Sequence, residues 1–250
     1  YILAATGELQ NQDEKEWLYR ISKNRFSGRG KNVADNVRAN SGGLKTLRFT
    51  QDQIHDFAWF CDKDFLVERS EVVLQGGKKV TTWAYQKNPQ TSLVRWVDTA
   101  IMYYSKRLGD YPYAHASVVV TPLGAGGGME YPTITNITST GADVIIHEVG
   151  HNWFYGILGS NERAHPWMDE SLNTYYQNRC VYHKTVPLHE GVKTSNFKNK
   201  DLTTELMLGE TPFGLTQLMY LIAARENNDQ AVNRPSEDCL LYTSPSPRDK

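Results

Sequence analysis

The sequence predicts an α+β protein in which a partial N-terminal β domain is followed by a mainly helical domain with a small β-sheet. β-Branched and aromatic runs dominate residues 1–88, whereas apolar residues recur at helical spacing from residue 93 onward. A Gly-rich segment and two strand-like runs interrupt that helical pattern. We therefore expect a domain boundary between residues 88 and 89.

The β domain is predicted from short extended runs that are separated by polar turns. Two of these runs, 71–74 and 80–85, are joined by Gln-Gly-Gly-Lys, which is typical of a hairpin turn. The other runs cover residues 1–6, 47–50 and 57–61.

The second domain, residues 89–238, is predicted to begin with a helix. Thr91 or Ser92 can cap this helix, apolar residues follow at helical spacing up to Leu108, and Gly109 is a typical stop. A strand at 116–121 and a second extended segment at 129–137 come next.

The rest of this domain is predicted to be helical. Asp143 begins an apolar helix, and residues 167–182 form another. Two further helices are expected between Leu202 and Asn228, with a break at the Thr-Pro-Phe-Gly sequence 211–214.

Composition and charge narrow the classes of partner. The 250 residues carry 27 basic and 28 acidic side chains, and the net charge of −1 predicts no binding to nucleic acid. The most apolar stretch, 144–158, contains His147, Glu148 and His151, so no segment is predicted to span a membrane. The chain begins at Tyr1 without a leader-like segment, so we expect a soluble protein whose N-terminus is missing and whose compartment is open, secreted and periplasmic locations included.

The C-terminal tail departs from the rest of the chain. Residues 239–249 read Cys-Leu-Leu-Tyr-Thr-Ser-Pro-Ser-Pro-Arg-Asp, which resembles the translation of a sequencing adapter. We therefore expect residues 239–250 to be an artefact and the genuine sequence to end near Asp238. A Ser- and Pro-rich flexible terminus is the alternative.

The candidate chemistry is concentrated in His147-Glu148-Val149-Gly150-His151. Two histidines separated by three residues lie about one turn apart on the same helix face, so both imidazoles can reach one metal ion. Catalytic zinc takes three protein ligands and keeps a position for water, whereas structural zinc uses four ligands, usually thiolates. Glu170, after eighteen intervening residues, completes a His-His-Glu set for one zinc ion.

Glu148 lies between the two histidines and is predicted to be the general base. Zinc lowers the pKa of water to about 7, and a neighbouring carboxylate can accept the proton as the oxygen attacks a carbonyl carbon. Asp169, next to Glu170, either orients a zinc histidine or is an exposed helix carboxylate.

These motifs resemble those of the aminopeptidase N-like zinc metallopeptidases, whose catalytic domain is thermolysin-like. The zinc motif continues as His151-Asn152-Trp153-Phe154, as it does in that family. Upstream, Gly127-Gly128-Met129-Glu130-Tyr131-Pro132 is similar to the Gly-x-Met-Glu-Asn exopeptidase motif, although Tyr131 stands where most members have Asn. The resemblance covers residues 1–238.

The resemblance implies a zinc-dependent aminopeptidase that acts on peptides with a free N-terminus. An edge strand with Gly127, Gly128 and Met129 would align the substrate. Glu130 would then bind the α-amine through a charge-assisted hydrogen bond. A thermolysin-type endopeptidase and a non-catalytic zinc-bearing scaffold for peptide binding are the alternatives, and the presence of Glu148 argues against the scaffold.

The same family uses a tyrosine, some tens of residues after the third ligand, to hydrogen-bond the oxyanion. Tyr175, Tyr176 and Tyr182 are too close to that ligand. Tyr220 lies in a helix that we expect to be buried, and Tyr242 falls in the adapter-like tail. We therefore expect the catalytic tyrosine to be missing and the fragment to catalyse weakly. The substrate's side-chain preference and the oligomeric state are not readable from this sequence.

Overall fold

The computed structural model describes residues 1–23, 43–87, 92–124, 127–189, 214–229 and 231–235. Within these ranges it contains both helices and strands, in agreement with the predicted α+β class. The adapter-like segment 239–250, Thr91 and the first of the two helices expected after Leu202 lie outside the described residues. None of the described helices has the length and apolar character of a membrane span.

The N-terminal part forms two small antiparallel sheets and one helix. Strand β1 (Ile2–Ala5) pairs with β4 (Trp59–Asp62), and β2 (Glu8–Leu9) pairs with β3 (Phe49–Thr50). The sequence pattern indicated β1, β3 and β4 but missed β2 and helix α1 (Gln12–Lys23). Helix α1 was missed because only one narrow face of it is apolar. That face buries Trp17, Leu18 and Ile21.

The predicted hairpin is formed by β5 (Leu66–Val73) and β6 (Lys79–Gln86). The two strands pair antiparallel from Leu66 opposite Gln86 to Val73 opposite Lys79. Gly77 in the turn has a φ of 83°, a left-handed conformation that glycine adopts without steric cost.

The hairpin belongs to a five-stranded mixed sheet of order β5-β6-β7-β9-β8. Strand β7 (His115–Val120) is parallel to β6, β9 (Ile134–Ile137) is parallel to β7, and β8 (Gly128–Met129) is an antiparallel edge strand beside β9. The sheet thus joins strands from both sides of residues 88–89. A division into domains at that point stays a prediction.

The extended segment expected at 129–137 is two strands and not one. Strands β8 and β9 are joined by a turn at 130–133, in which Thr133 has a φ of 62°. Pro132 is a local signal for this reversal, whereas a positive φ is uncommon for a β-branched residue such as Thr133.

Helix α2 (Val94–Leu108) ends at Gly109 as predicted, but it begins differently. Ser92 does not cap it. The carboxylate of Glu68 on β5 accepts hydrogen bonds from the backbone N–H groups of Leu93 (3.0 Å) and Val94 (3.4 Å). A carboxylate at a helix N-terminus is stabilising, and here it comes from another element of the fold.

Among the described residues, further helical segments follow, including a π-helical segment at Asn152–Ile157. Helix α3 (Ala142–Gly150) and helix α4 (Leu172–His189) are the predicted ones, and a π-helical turn (Trp167–Ser171) leads into α4. Helix α5 (Gly214–Arg225) follows the predicted break. The expectation that Tyr220 is buried is wrong, because its side chain on α5 is 63% exposed. The neighbouring apolar side chains of Met219 and Leu221 are exposed as well.

The five-stranded sheet separates two hydrophobic cores. One core contains residues of α2 and α3, such as Ile101 and Ile145, and includes Trp153 and Phe154 from the continuation of the His147–His151 motif. The other contains residues of α1 and the two small sheets, among them Leu18. The sheet is therefore covered on both faces, and its edge strand β8 lies beside α3.

Helix α3 approaches α4 closely at Gly150. A Cβ atom at this position would lie 2.1 Å from Asn173 Oδ1 and 2.5 Å from Tyr104 Oη, and both side chains are fully buried. The Asn173 amide also donates a hydrogen bond to the carbonyl of His147 (2.8 Å). Helices α3 and α4 are therefore locked together where the candidate metal ligands lie.

Candidate metal and catalytic site

Two histidines with facing ring nitrogens lie on α3 and at its end. The Nε2 atoms of His147 and His151 are 3.1 Å apart, and the two rings meet edge to face. His151 is 1% exposed, whereas the side chain of His147 is 20% exposed. Two nitrogen donors therefore converge on one point.

Glu170, on the π-helical turn before α4, supplies a third donor. Its Oε2 atom lies 3.0 Å from His147 Nε2 and 3.7 Å from His151 Nε2. In a tetrahedral zinc site with bonds of about 2.0 to 2.1 Å, neighbouring donor atoms lie about 3.3 Å apart. The observed separations of 3.0, 3.1 and 3.7 Å bracket that value, so this donor set fits zinc.

The other ring nitrogens are held by hydrogen bonds. His151 Nδ1 lies 2.5 Å from Asp169 Oδ1, and His147 Nδ1 lies 2.9 Å from Gln177 Oε1. Because both oxygens can only accept, each Nδ1–H donates, and Nε2 is the ring nitrogen left to face a metal ion. Asp169 is 1% exposed, so the alternative of an exposed helix carboxylate is wrong.

Gln177 was missed by the sequence reasoning, although a signal was present. It follows Glu170 by seven residues, which is about two helical turns, so both side chains lie on the same helix face. A search for polar residues at that spacing would have found it.

Burial opposes a positive charge on both imidazoles, but nearby carboxylates outweigh it. The hydrogen bond to Glu170 raises the pKa of His147, and the charges of Asp169 and Glu170 raise the pKa of His151 well above its usual range. The same negative field favours a metal cation, which competes with protons for the Nε2 lone pairs.

Glu148 is 6% exposed, and its carboxyl group lies against the edge strand β8. A Cβ atom on Gly128 would lie 2.3 Å from Glu148 Cδ and Oε1, so glycine at this position makes room for the carboxyl group. Burial raises the pKa of Glu148, and the charges of His147 and His151 oppose that shift. A carboxyl group in such surroundings is suited to accept and return a proton.

Glu130, directly after β8, is half-buried and lies in an acidic cluster. Oxygen atoms of Glu130, Glu162 and Asp169 lie within 4.8 Å of one another. Burial raises the pKa of Glu130 well above its usual range; His151 opposes this shift, and Glu148, Asp169 and Glu162 add to it. No local pattern pointed to Glu162, because only the fold brings it to Glu130.

The two remaining residues of the Gly-rich motif have supporting positions. Gly127 has a φ of 66°, and its carbonyl accepts hydrogen bonds of 2.9 Å from the backbone N–H and the hydroxyl of Thr138. Met129 is 1% exposed and pairs with Asn136 on β9. The structure thus brings Gly128 and Glu130 to the histidines, whereas the Met129 side chain packs in the interior.

Substitution of Gln177 by leucine is expected to lower zinc affinity by about tenfold or more, because loss of a hydrogen-bond partner of a metal histidine typically costs 10- to 100-fold. Gln177→Glu keeps an acceptor for His147 Nδ1–H and should retain the affinity. Competition with a zinc chelator measures the zinc affinity of both variants. Equal affinities for the leucine variant and the unaltered protein would show that Gln177 does not orient His147.

Comparison with known proteins gives partial matches. No protein-family model matches the chain. Leukotriene A-4 hydrolase of Xenopus laevis is 26% identical over 113 residues, which cover 41% of this chain and 19% of that protein. Aminopeptidase B of Rattus norvegicus is 32% identical over 82 residues, which cover 30% of this chain and 13% of that protein. The chain thus spans less than a fifth of these relatives.

A solved structure shares the fold. The E323A mutant of a two-domain M1 zinc metallopeptidase bound to L-tryptophan matches 89% of this chain and 42% of its own, with a TM-score of 0.53 and 18% identity. The relatives and the structural neighbour are M1 zinc metallopeptidases, in agreement with the family that the motifs resemble.

Proposed function

We propose that this chain, whose relatives are M1 zinc metallopeptidases, is the core of a zinc-dependent aminopeptidase that hydrolyses the N-terminal peptide bond of peptides. The observation that carries the proposal is the convergence of three elements on one place. These elements are the His-His-Glu donor set, the buried Glu148 and the Glu130 carboxylate after β8. Asp169 links the first and the third, because it contacts both His151 and the acidic cluster of Glu130.

His147, His151 and Glu170 would hold one zinc ion. When bound, zinc supplies Lewis-acid chemistry and lowers the pKa of water to about 7. Glu148 would accept the proton of the attacking water and pass it to the leaving amine. Asp169 and Gln177 would keep both imidazoles in the tautomer that this role requires.

Glu130 would bind the α-ammonium group of the substrate. Three carboxylates within 4.8 Å of one another repel each other, and an ammonium group relieves that repulsion. Gly128, beside Glu148, would align the peptide along the edge strand β8. The M1 metallopeptidase that shares this fold was solved with a free amino acid, L-tryptophan, which carries such an ammonium group.

The oxyanion donor has no candidate among the residues predicted from the family. Tyr175 and Tyr176 lie on α4 within two turns of Glu170, and Tyr220 is exposed on α5.

The proposal is tested with a peptide and its N-acetylated form, assayed with the complete zinc-loaded protein. Acetylation removes the ammonium group and leaves the Glu130 carboxylate without its partner, so kcat/KM should fall at least about 30-fold, which corresponds to about 2 kcal/mol. Glu130→Gln should abolish most of this preference.

Other outcomes point to other functions. Equal cleavage of both peptides, with internal bonds cut, would identify a thermolysin-type endopeptidase instead. Tight peptide binding without hydrolysis would identify a non-catalytic scaffold.

A further inference from the structure

Asn152, the residue after His151, has no part in the function proposed above, yet both the nitrogen and the oxygen of its side-chain amide make hydrogen bonds. It is 5% exposed. Its Nδ2 donates to the carbonyl of Val149 (3.0 Å), and its Oδ1 accepts from the backbone N–H of Thr133 (3.1 Å). The hydroxyl of Tyr111 lies 3.4 Å from this oxygen, but it donates its proton to the nearer carbonyl of His115 (3.1 Å). One side chain therefore ties the end of α3 to the turn between β8 and β9.

The turn depends on such contacts because Thr133 is held in an uncommon conformation. Its φ is 62°, its side chain is buried, and its Oγ1 and carbonyl accept hydrogen bonds from Gly7 N–H (3.1 Å) and Ser117 N–H (2.8 Å). A strained backbone conformation persists only where its surroundings determine it. Loss of Asn152 would take the acceptor away from a buried N–H group in this strained residue.

Glu130 lies between two anchors. On its N-terminal side, Met129 is fixed by pairing with Asn136 on β9. On its C-terminal side, three residues further along, Thr133 is fixed by Asn152. The position of Glu130 relative to His151 therefore depends on a contact made by the residue next to His151.

We propose that Asn152 is a positioning residue that sets the separation between the Glu130 carboxylate and the metal-binding histidines. The α-amine and the carbonyl of the first peptide bond belong to the same residue, so this separation fixes cleavage at that bond. The inference rests on the proposed aminopeptidase function. A displacement of the anchor by a fraction of an ångström would weaken recognition of the amine without removing the metal.

The test uses an amino-acid anilide and its desamino analogue, assayed with the complete protein and with Asn152→Ala. The ratio of the two kcat/KM values measures amine recognition, and it does not depend on how much of the preparation is folded. We expect this ratio to fall about tenfold in Asn152→Ala, with the zinc content per chain unchanged.

Two further variants separate positioning from general packing. Tyr111→Phe removes a buried hydroxyl that lies beside Asn152 Oδ1 and bonds the His115 carbonyl, but it leaves the Asn152–Thr133 hydrogen bond in place. This variant should keep the ratio of the unaltered protein. Asn152→Asp keeps an acceptor for Thr133 N–H and should restore most of the ratio. An unchanged ratio in Asn152→Ala, or an equal fall in all three variants, would overturn the inference. Failure of the unaltered protein to prefer the free amine would instead overturn the proposed function.

Discussion

Replacement of Glu148 by glutamine is expected to lower kcat by about 1,000-fold, because general acid–base catalysis contributes about 10²- to 10⁴-fold. Glutamine keeps the shape of the side chain but cannot accept a proton. Glu148 is outside the converging set of His147, His151 and Glu170, so zinc should stay bound. Steady-state hydrolysis of a peptide with a free N-terminus, with zinc per chain measured on the same sample, checks both parts.

Glu71→Gln is the matched control for this substitution. It makes the same chemical change on β5, at the opposite edge of the sheet from β8, where Glu71 is a partly exposed partner of Lys79 (3.0 Å). Exposed ion pairs contribute little, so we expect unchanged activity. Full turnover by Glu148→Gln, or a loss of zinc that accounts for the lost activity, would exclude Glu148 as the base.

Replacement of Gly128 by alanine is expected to lower kcat/KM by about 100-fold, although the new group is a single methyl. Its Cβ would lie 2.3 Å from Glu148 Cδ and Oε1, closer than van der Waals contact allows. The end of a glutamate side chain can rotate away, so the fold should survive while the base moves. A misplacement of about 1 Å at a reacting group can cost about 10²-fold in rate.

Gly124→Ala is the control, because Gly124 precedes the same Gly-rich motif. No atom of the described residues lies within 4 Å of a Cβ atom built on Gly124. A double-mutant cycle identifies the mechanism. If Gly128→Ala acts by displacing Glu148, it should have little further effect in the Glu148→Gln background. If the two substitutions instead lower kcat/KM independently, so that their fold-changes multiply, Gly128 acts on another group, such as the bound peptide.

Local patterns in the sequence were sufficient for much of the fold. Apolar spacing predicted α2 and α3, and the Gln-Gly-Gly-Lys turn predicted the β5–β6 hairpin, since these features depend on residues that are neighbours in the chain. The spacing from His147 to Glu170 identified the donor set for the same reason. One turn of helix separates His147 and His151, and Glu170 lies on the π-helical turn that leads into the next helix.

Features that depend on distant residues could not be predicted. Glu68 caps α2 from another strand, and the parallel pairing of β6, β7 and β9 joins segments that the sequence pattern separated into two domains. Helix α1 was missed because its single apolar face gives a weak signal among strand-like runs. In each case the stabilising contacts join residues that are far apart in the sequence, so local composition does not predict them.

The sequence by itself predicted the zinc ligands and the base, because the motif at 147–151 carries two histidines and Glu148 within about one helical turn and Glu170 follows on the next predicted helix. Only the tertiary structure decided how these groups are arranged. It placed Glu148 against Gly128, Gln177 and Asp169 behind the histidines, Glu162 beside Glu130, and Asn152 beneath the turn at Thr133. These contacts are set by how β8, α3 and α4 pack together, and packing is a property of surfaces that meet only after the chain has folded.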